Sequence, residues 1–318
     1  MKKLNTYGRY LKKKFKTKVS KIPIAISGFT CPNIDGKVAK GGCTFCQNDS
    51  FSPNLAQNRS KVFLNLDSIS NPILDNQLKE LDTQIKKTMA YQREAYGTKK
   101  FIVYFQAFTN TYAPFDTLKA LFDKALTYDD VIGLSIGTRS DSITDETLDY
   151  IVKLSRDYEI WLEYGIQSIY DTTLDKINRG HNAQNVKDAI IQAKSLGLNV
   201  CGHLIFGLPD ETQEMMIESA KISYEWGIDS VKYHPLYVVK NTLLANDYKS
   251  GKFVPISKEL YIDTLVKAIK LKPDNISIQR VTAGTDDDTL LAPKWCGLGR
   301  NEMQVFIDNA LREEGLEY

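Results

Sequence analysis

Seven short runs rich in β-branched and aromatic residues recur along the chain with longer amphipathic stretches between them, and this alternation admits very few architectures. The runs are KIPIAISGF (21–29), FIVYFQAF (101–108), VIGLSIGT (131–138), IWLEYGIQS (160–168), NVCGHLIFGLP (199–209), SVKYHPLYV (230–238) and NISIQRVT (275–282). The apolar spacing predicts helices at about 72–95, 115–127, 145–156, 183–196, 211–226 and 257–270, with a last one near 300–314. Strands alternating with helices predict a parallel sheet with right-handed crossovers, either open and doubly wound or curled into a barrel.

Two features favour the barrel. Polar residues collect at the C-terminal ends of the runs: Cys31, Gln106 with Thr109 and Asn110, Arg139 with Asp141, Glu163 with Gln167, His203, His234, and Gln279 with Arg280. In barrels those ends form the catalytic face. No run is followed by G-x-G-x-x-G, so the usual mark of a dinucleotide-binding sheet is missing. With 318 residues, 42% of them hydrophobic, one large core suffices. The chain divides into a basic N-terminal arm (1–20), a barrel (21–285) that includes the loop 31–46, and a C-terminal extension (286–318).

The arm stands out by charge. Residues 1–21 hold nine Lys or Arg, Lys21 the last of them, and no acid. Because the whole chain has 41 bases and 39 acids, the remainder is net acidic. Lysines interleaved with Tyr7, Tyr10 and Phe15 suit a phosphate backbone with rings for stacking; the competing reading is a solvated tail. No stretch is apolar enough for a membrane span, and no apolar run follows the N-terminal charges. A cytoplasmic protein with reduced thiols is expected.

Three of the five cysteines, Cys31, Cys43 and Cys46, stand in CPNIDGKVAKGGCTFC with spacing C-x11-C-x2-C. Three readings compete. Structural zinc needs a fourth ligand, and His181, His203 and His234 are remote in sequence. A C-x-x-C redox pair leaves Cys31 without a task. A [4Fe-4S] cluster held by three thiolates leaves one iron open to a small molecule and accounts for all three. Gly36, Gly41 and Gly42 permit the turns needed to wrap backbone around such a group, and Phe45 can shield it.

At these residues the chain resembles the radical S-adenosylmethionine (SAM) superfamily. In that family a loop after the first strand of a partial (β/α)6 TIM-type barrel, an α/β fold, carries the cluster cysteines, usually as C-x3-C-x2-C. The longer first gap is similar to a bacterial branch with CPN-x-DG and GGCTFC, related to the catalytic subunit of elongator. GIQSIYDTTLDKINRGH (165–181) resembles the fourth-strand region of the oxygen-independent coproporphyrinogen oxidase and elongator-like branch. That resemblance makes Gln167 and Arg179 contacts of SAM, suited to ribose or adenine and to a carboxylate respectively. GHLIFGLPDET resembles the fifth-strand turn of that branch, with His203 where an acidic ribose contact is expected, so His203 faces either substrate or core. QAFTNTYA departs from the family's glycine-rich motif; Gln106, Thr109 and Asn110 are the candidate cofactor contacts there. Arg139 and Glu163, charges at inner strand ends, must pair with each other or meet cofactor or substrate.

The resemblance implies a [4Fe-4S] cluster, SAM, an external one-electron reductant, and a 5′-deoxyadenosyl radical that abstracts hydrogen from a C–H bond. His203 and Glu163 are the candidate catalytic residues. The arm and the elongator likeness point to tRNA, and the branch implies a wobble-uridine substrate whose carboxymethylaminomethyl group becomes aminomethyl. RNA would be met by the arm, the mouth, and the segment around Lys294, Trp295 and Arg300. The alternatives are a radical enzyme acting on a small metabolite and a zinc-stabilised, non-catalytic RNA-binding protein.

Overall fold

The computed structural model describes residues 1–47, 54 and 62–318. Seven parallel strands form one sheet in sequential order: β1 (Val19–Ile24), β2 (Lys100–Phe105), β3 (Val131–Thr138), β4 (Glu159–Gln167), β5 (Asn199–Phe206), β6 (Ser230–Pro235) and β7 (Ser277–Arg280). Each pairs in parallel with the next. Among the described residues β1 and β7 do not pair, so the curled sheet is a partial barrel.

The helices are α1 (Tyr7–Phe15), α2 (Leu74–Tyr96), α3 (Phe115–Leu126), α4 (Asp145–Leu154), α5 (Asp171–Lys176), α6 (Ala183–Ser195), α7 (Gln213–Glu225), α8 (Leu243–Lys249), α9 (Lys258–Leu271) and α10 (Arg300–Glu313). Local chemistry sets their starts: Thr144, Asn182, Thr212 and Ser257 each accept a backbone N–H from the first turn of α4, α6, α7 and α9. Such a cap is worth about 1 kcal/mol. Strand alternation sets the layers. Phe101, Val103, Phe105, Leu134, Ile136 and Leu162 join the large apolar core beneath the helices. Tyr104, Ser135, Glu163, His203 and Lys232 take the opposite face, where Ser135 and His203 reach Glu163 from neighbouring strands and Lys232 reaches Glu163 and Tyr104 across strands that are not neighbours.

The N-terminal residues are not a free arm. Thr6 bridges to Ile278 of β7, and Asn5 accepts the Ile278 N–H at 2.8 Å. Helix α1 then crosses the end of the barrel where the strands begin. Its Tyr7 and Leu11 pack with Ile102, Trp161 and Cys201 as a floor. Tyr7 and Tyr10 stand edge-on to Trp161, at centroid distances of 5.1 and 5.7 Å. The rings expected to stack on bases are therefore spent on packing. The sequence offered the reason: YGRYLKKKF places Tyr7, Tyr10 and Leu11 on one face of a helix, with Thr6 as its cap. The two-residue strand Lys2–Lys3 pairs with Leu316–Glu317, which ties the termini together.

Residues 286–318 also pack onto the core. Met303, Ile307 and Leu311 of α10 are buried in it. Trp295 lies against Tyr261 at 5.3 Å and donates to the carbonyl of Ile256 at 3.2 Å, so it packs on the barrel. Cys296 is buried beneath the backbone at Gly284, where a Cβ would come within 1.9 Å of the Cys296 carbonyl oxygen. Of Arg300, the first residue of α10, the side chain lies outside the described residues.

Candidate active site

The cysteine loop leaves β1 at the C-terminal end of the barrel, opposite α1. Consecutive glycines in the left-handed region, Gly41 (φ +84°) and Gly42 (φ +79°), turn the chain into Cys43, and a Cβ on Gly42 would meet Ile34 at 3.2 Å. The loop is fastened to the segment after α5. Asn33 Nδ2 donates to the Asn178 carbonyl at 3.1 Å, and Asn178 Nδ2 donates to the carbonyls of Lys40 and Gly42 at 2.8 and 2.7 Å. The Thr44 N–H donates to the Ile177 carbonyl at 3.0 Å. Phe45 packs against the satellite core that contains Leu208 and Leu236.

All three thiols line one cavity at the strand ends. Thr109 Oγ1 donates to Cys31 Sγ at 3.1 Å and Asn33 Nδ2 to Cys43 Sγ at 3.2 Å, while Arg179 Nη1 is 3.8 Å from Cys43 Sγ. Burial pushes the Cys31 thiol up to about 11, against the pull of Thr109, Arg139 and Arg179. Burial and the two neighbouring thiols push Cys46 well above the ordinary range. Cys31 and Cys46, which burial keeps from ionising, need a cationic centre beside them to become ligands.

A single ion does not fit that role. Sulfurs sharing one zinc at bonds of about 2.3 Å lie within about 4 Å of each other. Among the described residues the one trio of His, Cys, Asp or Glu with ligand atoms within 4.8 Å of each other is Glu163, Cys201 and His203. That trio is no metal site either, since Lys21 and Lys232 already occupy the carboxylate. The cysteines suit a larger, soft-ligand group with metal at several corners, as a cluster has.

Beside the thiols stand Gln106, Thr109, Arg139, Gln167 and Arg179, all on the cavity wall. Gln167 sits at φ +67°, unusual for a residue with a side chain. Arg179 Nη2 donates to the Gly165 carbonyl at 3.0 Å. A Cβ on Gly165 would be 2.6 Å from Gln167 Nε2 and 2.8 Å from Arg179 Nη2, so the glycine makes room for both. Three of their polar atoms, Gln167 Oε1, Arg139 Nη1 and Arg179 Nε, are buried and without a partner among the described residues. Buried orphans of this kind imply an absent polar ligand.

Two expectations need correction. Asn110 does not face the cavity: its Nδ2 donates to the carbonyls of Phe105 and Gly137, at 3.2 and 2.8 Å, and so ties the loop after β2 to β3. Thr109 keeps its place on the cavity wall and reaches the Cys31 sulfur. Arg139 and Glu163 do not pair. Arg139 grips Asp141 through Nε (2.8 Å) and Nη2 (2.6 Å), whereas Glu163 lies deeper, fully buried among Lys21, Lys232, Ser135 and His203.

Burial would raise the Glu163 carboxyl, but Lys21 and Lys232 outweigh it and hold the group well below its usual range. Burial brings Lys232 down to about 8 and His203 to about 4, so His203 is neutral at pH 7 and bonds Glu163 through Nε2 at 2.7 Å. Lys21, counted with the arm, is thus an interior residue that also donates to Gln279 at 2.6 Å across the gap between β1 and β7. Lys232 was missed altogether. The alternation in SVKYHP, with buried Val231 and Tyr233 flanking it, was the signal that it points inward with His234.

The sequence pattern of the Radical SAM superfamily matches residues 36–222, more than half of the chain. The chain belongs to the radical SAM superfamily. The pattern of the Radical_SAM C-terminal domain matches residues 228–313 of this radical SAM protein. It is 34% identical over 316 residues to Protein YhcC of Escherichia coli K12, covering 99% of this chain and 94% of that one. It is 29% identical over 153 residues to the tRNA uridine(34) acetyltransferase of Methanocaldococcus infernus, covering 47% of this chain and 28% of that one. In solved structures the fold is similar to the Methanocaldococcus infernus Elp3, with a TM-score of 0.60 and 18% identity over 93% of this chain and 64% of that one. As in other radical SAM proteins, the cofactors are a [4Fe-4S] cluster and SAM. No helix among the described residues is long and apolar enough to cross a membrane.

Proposed function

We propose that Cys31, Cys43 and Cys46 hold the cluster, that Gln167, Arg179, Arg139 and Gln106 seat SAM against it, and that the enzyme acts on the wobble uridine of tRNA, converting a carboxymethylaminomethyl group toward aminomethyl. The observation that carries the cofactor assignment is the ring of buried, unpartnered polar atoms on Gln167, Arg139 and Arg179 around three thiols on one cavity. Bound together, cluster and SAM supply a 5′-deoxyadenosyl radical able to take hydrogen from a C–H bond. The chain's own part is to orient and to exclude water. Arg139 Nη1 and Arg179 Nε, the guanidinium nitrogens left without a partner, donate to the carboxylate of SAM, Gln167 offers an acceptor to a hydroxyl or amine, and Phe45 keeps solvent from the thiols.

The tRNA assignment is supported by the relative named as a tRNA uridine(34) acetyltransferase and by the likeness of the fold to Elp3. One observation favours a small metabolite instead. The exposed lysines of α1 lie at the barrel end away from the mouth, so the arm cannot hold a phosphate backbone against the cavity.

The deciding experiment measures 5′-deoxyadenosine formed by the anaerobically reconstituted, reduced enzyme, with and without tRNA from cells lacking this protein. A marked rise with that tRNA, lost in Cys43→Ala, supports the assignment. Formation indifferent to RNA leaves the cofactors and removes the substrate.

A further inference from the structure

The cations around the cavity fall into two groups. Arg139 and Arg179 stand at the thiols, where both act on Cys31. Arg280 lines the same cavity from β7. It pairs with Lys232 in the β6–β7 ladder, and its charge acts on Tyr104, Lys232, His203 and His234.

This second group is out of balance. It contains Lys21, Lys232 and Arg280 against a single carboxylate, Glu163, and both lysines already hold that carboxylate. Arg280, half-buried and on the cavity wall, makes no side-chain hydrogen bond or ion pair among the described residues. Beside it His234 Nε2 is buried and also without a partner. The His203 and His234 rings lie 5.4 Å apart, and His203 is already committed to Glu163. A half-buried guanidinium with no counter-charge, next to a buried imidazole nitrogen with no partner, is an arrangement that an anion completes.

We propose that Arg280 and His234 form a subsite for a carboxylate of the substrate, in the same cavity as the cofactor. The guanidinium fork takes both oxygens of a planar carboxylate, and His234, neutral with its proton on Nε2, donates to one of them. The subsite places a substrate anion between the radical source and the Lys21–Glu163–Lys232 network. It selects a substrate that carries a carboxylate near the carbon to be attacked. The inference rests on the proposed reading in taking this cavity as the place of substrate as well as cofactor; it does not require that the substrate be RNA.

The test uses the anaerobic, cluster-loaded enzyme with SAM bound. Its thermal unfolding is followed against acetate, and separately against inorganic phosphate, at ionic strength matched with chloride. Acetate should raise the midpoint in a saturable way in the wild-type protein and not in Arg280→Gln, with iron content and SAM affinity the same in both. Protection by phosphate alone overturns the carboxylate assignment. Equal protection of wild type and Arg280→Gln, or protection of neither, overturns the subsite, and a parallel loss of SAM affinity assigns Arg280 to the cofactor instead.

A second arm uses tRNA bearing carboxymethylaminomethyl-uridine. Arg280→Gln should raise the concentration needed for half-maximal stimulation of 5′-deoxyadenosine about ten- to a hundredfold, the worth of a charged hydrogen-bonded contact. Arg280→Lys and His234→Asn should fall between that and wild type, which keeps the test open if Arg280→Gln does not fold. Acetate protection without any stimulation by tRNA removes the RNA reading and leaves the subsite. Stimulation by tRNA that is equal in wild type and Arg280→Gln removes the subsite.

Discussion

Asn33 and Asn178 clasp each other's segments: Asn33 donates to the backbone carbonyl of Asn178 at 3.1 Å, and Asn178 donates to two carbonyls of the cysteine loop. These residues belong to the two stretches that stood out in the sequence, CPN…GGCTFC and INRGH. The clasp makes one site of them. It sets Cys43 beside Arg179, and Asn33 also donates to the Cys43 sulfur. A loop with several glycines would otherwise sample many shapes, and these amide bonds remove that freedom before any cofactor binds.

Removing the clasp should therefore lower cluster occupancy before it lowers overall stability. Asn178→Ala loses two amide donations, together worth about 1–3 kcal/mol of loop order, and should reconstitute with less iron and acid-labile sulfide per chain. Asn33→Ala should do worse, because the sulfur of Cys43 loses a donor as well. Full iron and sulfide in both variants would show that the loop is ordered by the cofactor alone.

Gly165 tests how SAM is seated. Its missing side chain lets the Gln167 amide and the Arg179 guanidinium lie where a Cβ would sit 2.6 and 2.8 Å from them. Gly165→Ala must displace both ends. We expect normal cluster content with SAM bound about tenfold or more weakly, the loss of one charge-assisted contact. Equilibrium binding of SAM to the reconstituted variant is the measurement, and unchanged affinity would place the cofactor elsewhere.

Glu163 tests the interior network. Glu163→Gln keeps the shape but leaves two buried ammonium groups, on Lys21 and Lys232, without their anion. Stranded charges of this kind destabilise by about 3–5 kcal/mol. Glu163→Gln combined with Lys232→Met should recover part of the loss, since one charge is removed as well. Chemical unfolding of wild type, Glu163→Gln, Lys232→Met and the double variant gives the coupling, and strictly additive effects would contradict the pairing.

The N-terminal segment now calls for a different truncation result from the one its charge implied. Tyr7 and Leu11 close the barrel floor against Trp161, so deletion of residues 1–18 should expose the interior and cost the fold. Tyr7→Ala alone should destabilise by about 3–5 kcal/mol. By contrast Lys12→Ala, Lys13→Ala and Lys16→Ala, on the exposed face, should leave the unfolding midpoint near wild type. A well-folded, fully active deletion protein would mean that α1 is dispensable packing.

The strands and long helices were legible because each carries its own period: alternation in β2 to β6, and amphipathic spacing with a Thr, Asn or Ser cap in α4, α6, α7 and α9. The cysteines were legible because thiols crowded among glycines have few other uses. What was not legible depended on the third dimension. Asn110 looked like a cofactor contact until its amide was seen to serve two backbone carbonyls. Lys21 counted as one more charge of a basic arm, and only the strand register places it opposite Glu163, far along the chain. Arg139 and Glu163 lay at comparable strand positions, yet a partner two residues away, Asp141, captures the arginine first.

Burial, aided by the charge of Lys232 and opposed by Glu163, holds the His203 imidazole down at about 4, against an ordinary value of 6.5. In the folded chain it stays neutral where the unfolded chain already binds a proton. Between pH 6.5 and about 4 the unfolded state therefore carries the extra proton, so stability is full above that window and is lost as pH falls through it. One such group contributes a slope of up to roughly 1.4 kcal/mol per pH unit. Glu163, itself held low, adds its own loss only below the ordinary carboxylate range, so the two windows separate. Chemical unfolding of wild type and His203→Asn between pH 5 and 7 isolates the histidine, because any acid sensitivity of the cluster is common to both. The variant should show the flatter dependence. Parallel slopes would mean that His203 takes up its proton as readily in the fold as in the unfolded chain, and that the hydrogen bond to Glu163 is one made by an imidazolium.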